Sequence, residues 1–127
     1  MAGDVRYKFS RARRLPGPAA FRRVYAAKRV FIDNELIVHA APNGGGPTRL
    51  GTSITRKIGG SVRRNRVKRI IREAFRLSQH RLPPGLDLVV IPRKGATLTL
   101  SAVSESLVAL VTKAADALHL CPLEDAP

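Results

Sequence analysis

From residue 18 onward the apolar side chains Phe21, Val24 and Tyr25 fall three and four positions apart, the spacing of one helical face. Gly17-Pro18 precedes them, and proline suits a first helical position, where its missing N–H leaves no bond unmade. A short helix is predicted over 18–27. From 30 to 41 the period shortens to two: Val30, Ile32, Leu36 and Val38 share one parity, and Phe31, Asp33, Glu35, Ile37 and His39 the other. Pro42-Asn43-Gly44-Gly45-Gly46-Pro47 is a turn by composition, and 49–55 reads as a returning strand. Together they predict an antiparallel hairpin with a loose loop.

Gly59-Gly60 then breaks the chain, and Ser61 is a candidate cap for the helix that follows. Its period places Val67, Ile70, Ile71, Ala74 and Ser78 on one face and Asn65, Lys68, Arg69, Arg72 and Arg76 on the other, with Arg64 and Arg66 flanking the boundary. Pro83-Pro84-Gly85 stops it. Residues 86–91 are almost continuously apolar, as in a strand buried on both faces. A last helix is predicted over 100–118, capped by Thr99 or Ser101, with Val103, Leu107, Leu110, Val111, Ala114 and Leu118 as its stripe. The long helix between 49–55 and 86–91 implies that these strands pair in parallel. The fold class is α+β: a small mixed sheet with three helices packed on it. No internal repeat is visible, and 1–127 reads as one domain: a basic arm over 1–14, a core over about 15–118 and a frayed acidic tail over 119–127.

Composition supports one core. A chain of 127 residues buries roughly two-thirds of its unfolded surface. Its 44% apolar content separates it from disordered chains, and 5% aromatics make the core aliphatic. Charge changes the picture more. The formal net charge is +14, with +17 in residues 1–94 and −3 in residues 95–127. Such asymmetry predicts a polyanionic partner, nucleic acid first and an acidic membrane surface second. Cys121 is the single cysteine, which excludes an internal disulfide and a thiolate zinc cluster. No apolar run approaches the ~20 residues that span a bilayer, and no apolar stretch follows the basic N-terminus as a secretory signal requires. Residues 6–29 superficially resemble a mitochondrial transit peptide but also read as part of the fold, so the cytoplasm is the default compartment.

The stretch RRNRVKRIIREAFR, residues 63–76, holds six arginines and Lys68 against one acid, Glu73. A helix built for solubility alternates signs at i,i+4, whereas this one repeats one sign and is destabilised by it. Arg63, Arg64 and Arg66 also stand in the first turns, where the helix dipole disfavours cations by ~0.3–1 kcal/mol each. A polyanion reverses both losses, which argues against a merely solvated face. The same N-terminus offers backbone N–H groups to an anion, Arg56-Lys57 stand just upstream, and the guanidinium fork suits phosphate oxygens. Charge alone does not separate RNA from DNA. A DNA-binding reading lacks a helix-turn-helix, and a membrane-surface helix conflicts with the use of the apolar face in the core. His39, His80 and His119 have no ligand spacing, Gly44-Gly45-Gly46 lacks a nucleotide-loop pattern, and no nucleophile or carboxylate pair stands out. No residue is assigned as catalytic or as a metal ligand; the chain reads as a binding subunit whose chemistry lies elsewhere.

Residues 55–75, TRKIGGSVRRNRVKRIIREAF, closely resemble the signature of the bacterial ribonuclease P protein component, with Arg64-Asn65-Arg66, Lys68-Arg69 and Arg72 at its centre. Phe21-Arg22-Arg23-Val24-Tyr25 resembles the first-helix motif of that family, and Arg49-Leu50-Gly51-Thr52-Ser53-Ile54 the strand leading into its basic loop. The likeness runs over about 8–118. It implies a fold like that of ribosomal protein S5 domain 2, in the order α-β-β-(β)-α-β-α, with a left-handed βαβ crossover. It also implies a subunit that assists a catalytic RNA in removing the 5′ leader of precursor tRNA, with Mg2+ bound mainly by the RNA and no organic cofactor. The implied partners are ribonuclease P RNA and precursor tRNA, with neither DNA nor membrane. Carried over by position, Arg56, Lys57, Arg63, Arg64, Asn65, Arg66, Lys68, Arg69, Arg72 and Arg76 face the catalytic RNA. Phe21, Tyr25 and His39 line a cleft for the leader, where aromatic faces stack on unpaired bases without sequence preference. Two features depart from the family pattern: His39 replaces a frequent aromatic, and the last helix carries only Lys113 as a base. Ribosomal proteins and RNA chaperones are the rival class.

Overall fold

The computed structural model describes residues 13–118; the tail over 119–127 and all but two residues of the basic arm lie outside them. The elements are α1 (Gly17–Ala26), β1 (Val30–Ile32), β2 (Leu36–Pro42), β3 (Arg49–Thr52), α2 (Ser61–Ser78), β4 (Leu86–Pro92) and α3 (Leu100–Ala117). Short 3-10 turns, Arg56–Ile58 and Gln79–Arg81, flank α2. The sheet runs β1-β2-β4-β3, with β3 and β4 parallel and the other neighbours antiparallel. The mixed sheet, its three helices and the parallel pair agree with the sequence reading.

Two expectations within the sheet are corrected. First, β2 and β3 do not form a hairpin, because β4 lies between them. β4 is apolar along nearly its whole length, and the central position buries both its faces. The glycine-rich segment therefore crosses the end of β4. Its Asn43 amide donates to the carbonyls of Pro47 (3.0 Å) and Leu86 (3.1 Å), and the Gly85 N–H donates to the Gly46 carbonyl (2.8 Å). Second, 30–41 is two strands rather than one. Asp33 turns the chain by accepting from the N–H groups of Glu35 (2.8 Å) and Leu36 (3.0 Å) through its carboxylate. That turn reverses the parity: Val30 and Ile32 stand opposite His39 and Ile37, while Phe31 stands opposite Val38.

Helices α2 and α3, 18 residues each, cover one sheet face. Leu36, Val38, Leu88 and Val90 meet Val67, Ile71, Phe75, Leu107 and Val111 there. Phe75 is fully buried, although the helical pattern did not single it out; it stands at the margin between Ile71 and Lys68. Among the described residues the other face receives only α1, 10 residues long, through Leu15, Val24, Ala41 and Val89. A short helix on a wider sheet leaves part of that face open.

Asp87 fixes α1 on this face. It is fully buried, and Arg49 of β3 grips it through Nε (2.8 Å) and Nη2 (2.7 Å). Arg23 of α1 donates to the same carboxylate and also to the Pro42 carbonyl (3.1 Å), and Asn43 adds a bond of 3.2 Å. Burial alone would raise the Asp87 pKa. The hydrogen bonds from Arg49 and Asn43 and the charges of Arg49 and Arg23 outweigh it, holding the carboxyl below its ordinary 3.8.

Candidate nucleic-acid interface

The basic helix begins one residue away from its expected cap. Gly59, at φ 145, makes the preceding turn, and a Cβ there would meet the Arg63 Cδ at 2.8 Å. Gly60 takes the cap position and its carbonyl accepts from the Arg64 N–H (2.9 Å), so Ser61 is the first helical residue and does not cap with its side chain. Arg63 and Arg64 fold back onto the Ile58 (2.9 Å) and Gly59 (3.2 Å) carbonyls through Nε. Thr55 accepts from the Lys57 N–H (3.3 Å) and orders the loop that carries Arg56 and Lys57.

Beyond the first turn the basic ridge divides. Lys68 and Arg72 lean toward α1 and the edge of β3; Arg66 and Arg69 lean toward α3. Asn65 is exposed. Arg76 is held by Glu73, with Nε 2.9 Å from Oε1, and that bond is the chief cause lowering the Glu73 pKa below 4.5. No carboxylate pairs with Arg64, Arg66, Lys68 or Arg69 among the described residues.

Across the β3 edge, α1 presents its aromatic face. Phe21 lies directly over Gly51, where a Cβ would come within 2.5 Å of the ring Cζ and 2.8 Å of Leu15 Cδ1. Phe21, Leu15 and Gly51 line a recess of about 170 Å3 together with Arg14, Lys68 and Arg72. One turn later Tyr25 meets His39 of β2 edge to face, with ring centroids 4.8 Å apart. His39 Nδ1 is buried without a protein partner, and burial lowers the pKa of the ring from its ordinary 6.5. Exposed Val30 and Ile32 extend the open face. Farther along, Ile37, Ile91 and Pro92 floor a second recess, about 340 Å3, rimmed by Lys57, Arg93 and Lys94.

Residues 9–115 match the family model described as Ribonuclease P. The chain belongs to the ribonuclease P protein family. It is 37% identical over 106 residues to the ribonuclease P protein component of Brevibacillus brevis, covering 82% of this chain and 84% of the relative. Against that of Photorhabdus laumondii the identity is 40% over 105 residues, with coverage of 81% and 87%. The RNase P protein of Thermotoga maritima superposes with a TM-score of 0.68 at 33% identity, covering 73% of this chain and 89% of that one. For the RNase P protein of Staphylococcus aureus the values are 0.70, 30%, 82% and 96%. The chain is thus the protein component of a ribonuclease P, a subunit that works with an RNA in processing the 5′ end of tRNA.

In this ribonuclease P protein, the two sets of residues expected from sequence lie on different layers, α2 on one side of the sheet and α1 with His39 on the other. The β3 edge brings them together, since Phe21 shares its recess with Lys68 and Arg72. Arg63 and Arg64 stand at the helix start and Arg56 and Lys57 on the loop before it. Arg76 lies at the far end in its Glu73 pair. Arg14 belongs to the basic arm read from sequence, whereas Arg93 and Lys94 were not singled out there. For the last two a signal existed: they follow β4 directly, and a parallel neighbour of β3 must end beside the loop that follows β3. Among the described residues no group of three or more histidine, cysteine or acidic side chains is arranged to hold a metal ion, and no helix is long and apolar enough to cross a membrane.

Proposed function

We propose that this subunit binds ribonuclease P RNA through α2 and its preceding loop, and the 5′ leader of precursor tRNA along the open face beside α1. The observation that carries the reading is the recess where Phe21 meets Lys68 and Arg72, because it joins a stacking surface to a phosphate-binding ridge. A single strand entering there meets Phe21, then Tyr25 and His39, and leaves over Ile37 and Ile91 past Lys57, Arg93 and Lys94. Aromatic faces and cations along one groove hold a strand without reading its sequence, which suits leaders that differ from one tRNA to the next. Hydrolysis belongs to the RNA. The Mg2+ ions are assigned to it as well, since their preference is for hard oxygen ligands such as phosphate. The chain accordingly acts as a subunit of an endoribonuclease and contributes binding.

Reconstitution tests this. The protein is mixed with ribonuclease P RNA and precursor tRNAs carrying leaders of graded length, at low Mg2+. Cleavage is expected to rise with the protein, and affinity to grow with leader length until the groove is filled. Cleavage indifferent to the protein, or affinity indifferent to leader length, overturns the assignment.

A further inference from the structure

A third recess, of about 290 Å3, opens on the opposite flank of α2, where it meets the start of α3. Ile70 and Leu100 line it, with Arg66, Arg69 and Glu73 around them. Ile70 is half-buried against the core, but Leu100 stays 39% exposed. Its place is set by the helix cap: Thr99 accepts from the Ala102 N–H (3.2 Å), which makes Leu100 the first residue of α3. Its exposed neighbours Thr97, Thr99 and Ser101 are polar, so an apolar side chain at 100 is the exception in that turn. Glu73 is committed to Arg76, leaving Arg66 and Arg69 as an uncompensated positive rim.

An aliphatic floor under two guanidinium groups matches a nucleotide: the base lies on carbon while the phosphate meets the forks. We infer that this α2–α3 recess seats one unpaired nucleobase of ribonuclease P RNA. The inference rests on the reading of α2 as the RNA-facing helix and extends the interface onto α3, which charge alone had left out. Continuity supports this occupant, since Arg66 and Arg69 belong to the same ridge as Asn65 and Arg72, and an RNA lying along the ridge passes over the opening. A paired base does not reach it, because a duplex keeps its bases stacked and its deep groove closed to side chains.

Two measurements on the reconstituted complex test the recess. Leu100→Ala is expected to weaken binding of ribonuclease P RNA about three- to tenfold, because the base then rests on less apolar surface. The slope of log affinity against log salt should stay unchanged, because every phosphate remains engaged, and the melting temperature should match wild type. Arg66→Ala, by contrast, should flatten that slope. A photo-crosslinking residue at position 100 should label a single unpaired nucleotide of the RNA. Wild-type affinity for Leu100→Ala, a crosslink confined to paired nucleotides, or a crosslink to a second copy of the protein each overturn the inference. If Arg66→Ala also leaves the salt slope intact, the reading of α2 itself has failed, which separates the two cases.

Discussion

Two groups of arginines in this molecule answer opposite demands. Arg23 and Arg49 converge on the buried Asp87 and fasten α1, β3 and the end of β2 to β4. Arg64, Arg66 and Arg69 stand along α2 with no carboxylate among the described residues to balance them. In the first group the two cations share an anion inside the protein, and the result is position. In the second the charge is left unmatched, and the result is attraction for a polyanion. The same side chain fixes the fold where an anion is built in, and stays available to an external anion where none is.

The comparison breaks most sharply at Asp87. Asp87→Ala leaves two cations without their anion, and losing one partner of a buried pair costs about 3–5 kcal/mol. Arg49 and Arg23 keep side-chain exposures of 29% and 46%, so water partly recovers their solvation and about 3 kcal/mol is expected. Urea unfolding measures it; a loss below about 1 kcal/mol, the scale of an exposed pair, would make the network as dispensable as a surface salt bridge. The same carboxylate sets the acid limit. Its pKa is depressed on folding, so its contribution is complete above 3.8 and lost as pH falls through the lower folded value.

Gly51→Ala comes next. The added methyl would stand 2.5 Å from the Phe21 ring and 2.8 Å from Leu15. Overpacking of this kind costs about 1–3 kcal/mol, and Phe21 must tilt away from β3. Leader-dependent affinity should fall while binding of leaderless substrate is preserved. An equal loss for both substrates would mean that Phe21 serves packing alone.

On α2 the expectation is reversed, with large effects on binding and little on stability. Arg64→Ala or Arg66→Ala should reduce the salt slope of RNA binding by roughly 0.7–0.9 for each phosphate released from the protein. Stability should move by no more than about 0.5 kcal/mol, since these are exposed or half-exposed positions, and relief of repulsion and of the unfavourable helix dipole makes a small gain the favoured direction. A loss comparable to that of Asp87→Ala would erase the distinction between the two groups.

These assignments were not equally legible in the sequence. The α2 ridge showed plainly because like charges at i,i+3 and i,i+4 are a local pattern, and local patterns survive without coordinates. The Asp87 network did not show, because Arg23, Asn43 and Arg49 lie 64, 44 and 38 positions from it and meet only after β4 has inserted between β2 and β3. The false hairpin has the same origin: adjacency in sequence favours β2 with β3, and only the burial demand of Leu86–Pro92 overrides it. The reversed parity of Val30 and Ile32 came from one aspartate side chain closing a turn inside an apparently continuous strand. Arg93 and Lys94 were legible only through topology: they meet Thr55 to Ile58, a different segment, because β4 runs parallel to β3 and ends beside the loop that follows it.

His39 belongs to neither group: it is a polar ring packed against Tyr25 with Nδ1 buried and unpaired. Burial disfavours its charged form and lowers its pKa. Below the ordinary value of 6.5 the unfolded chain therefore takes up a proton that the folded chain still refuses. Stability should be complete above 6.5 and decline as pH falls toward the lower folded value. The acidic groups whose pKa values folding depresses, Asp33, Glu73 and Asp87, have ordinary values of 3.8, 4.5 and 3.8, so their own loss of stability sets in only at the acid end of this window. His39→Phe keeps a flat ring beside Tyr25 and removes the proton, so unfolding curves between about pH 7.5 and 5 should lose this component of their pH dependence. If the wild-type decline persists unchanged in the variant, another group carries it. Of the four effects this is expected to be the smallest, because one partly buried ring is involved and no ion pair is broken.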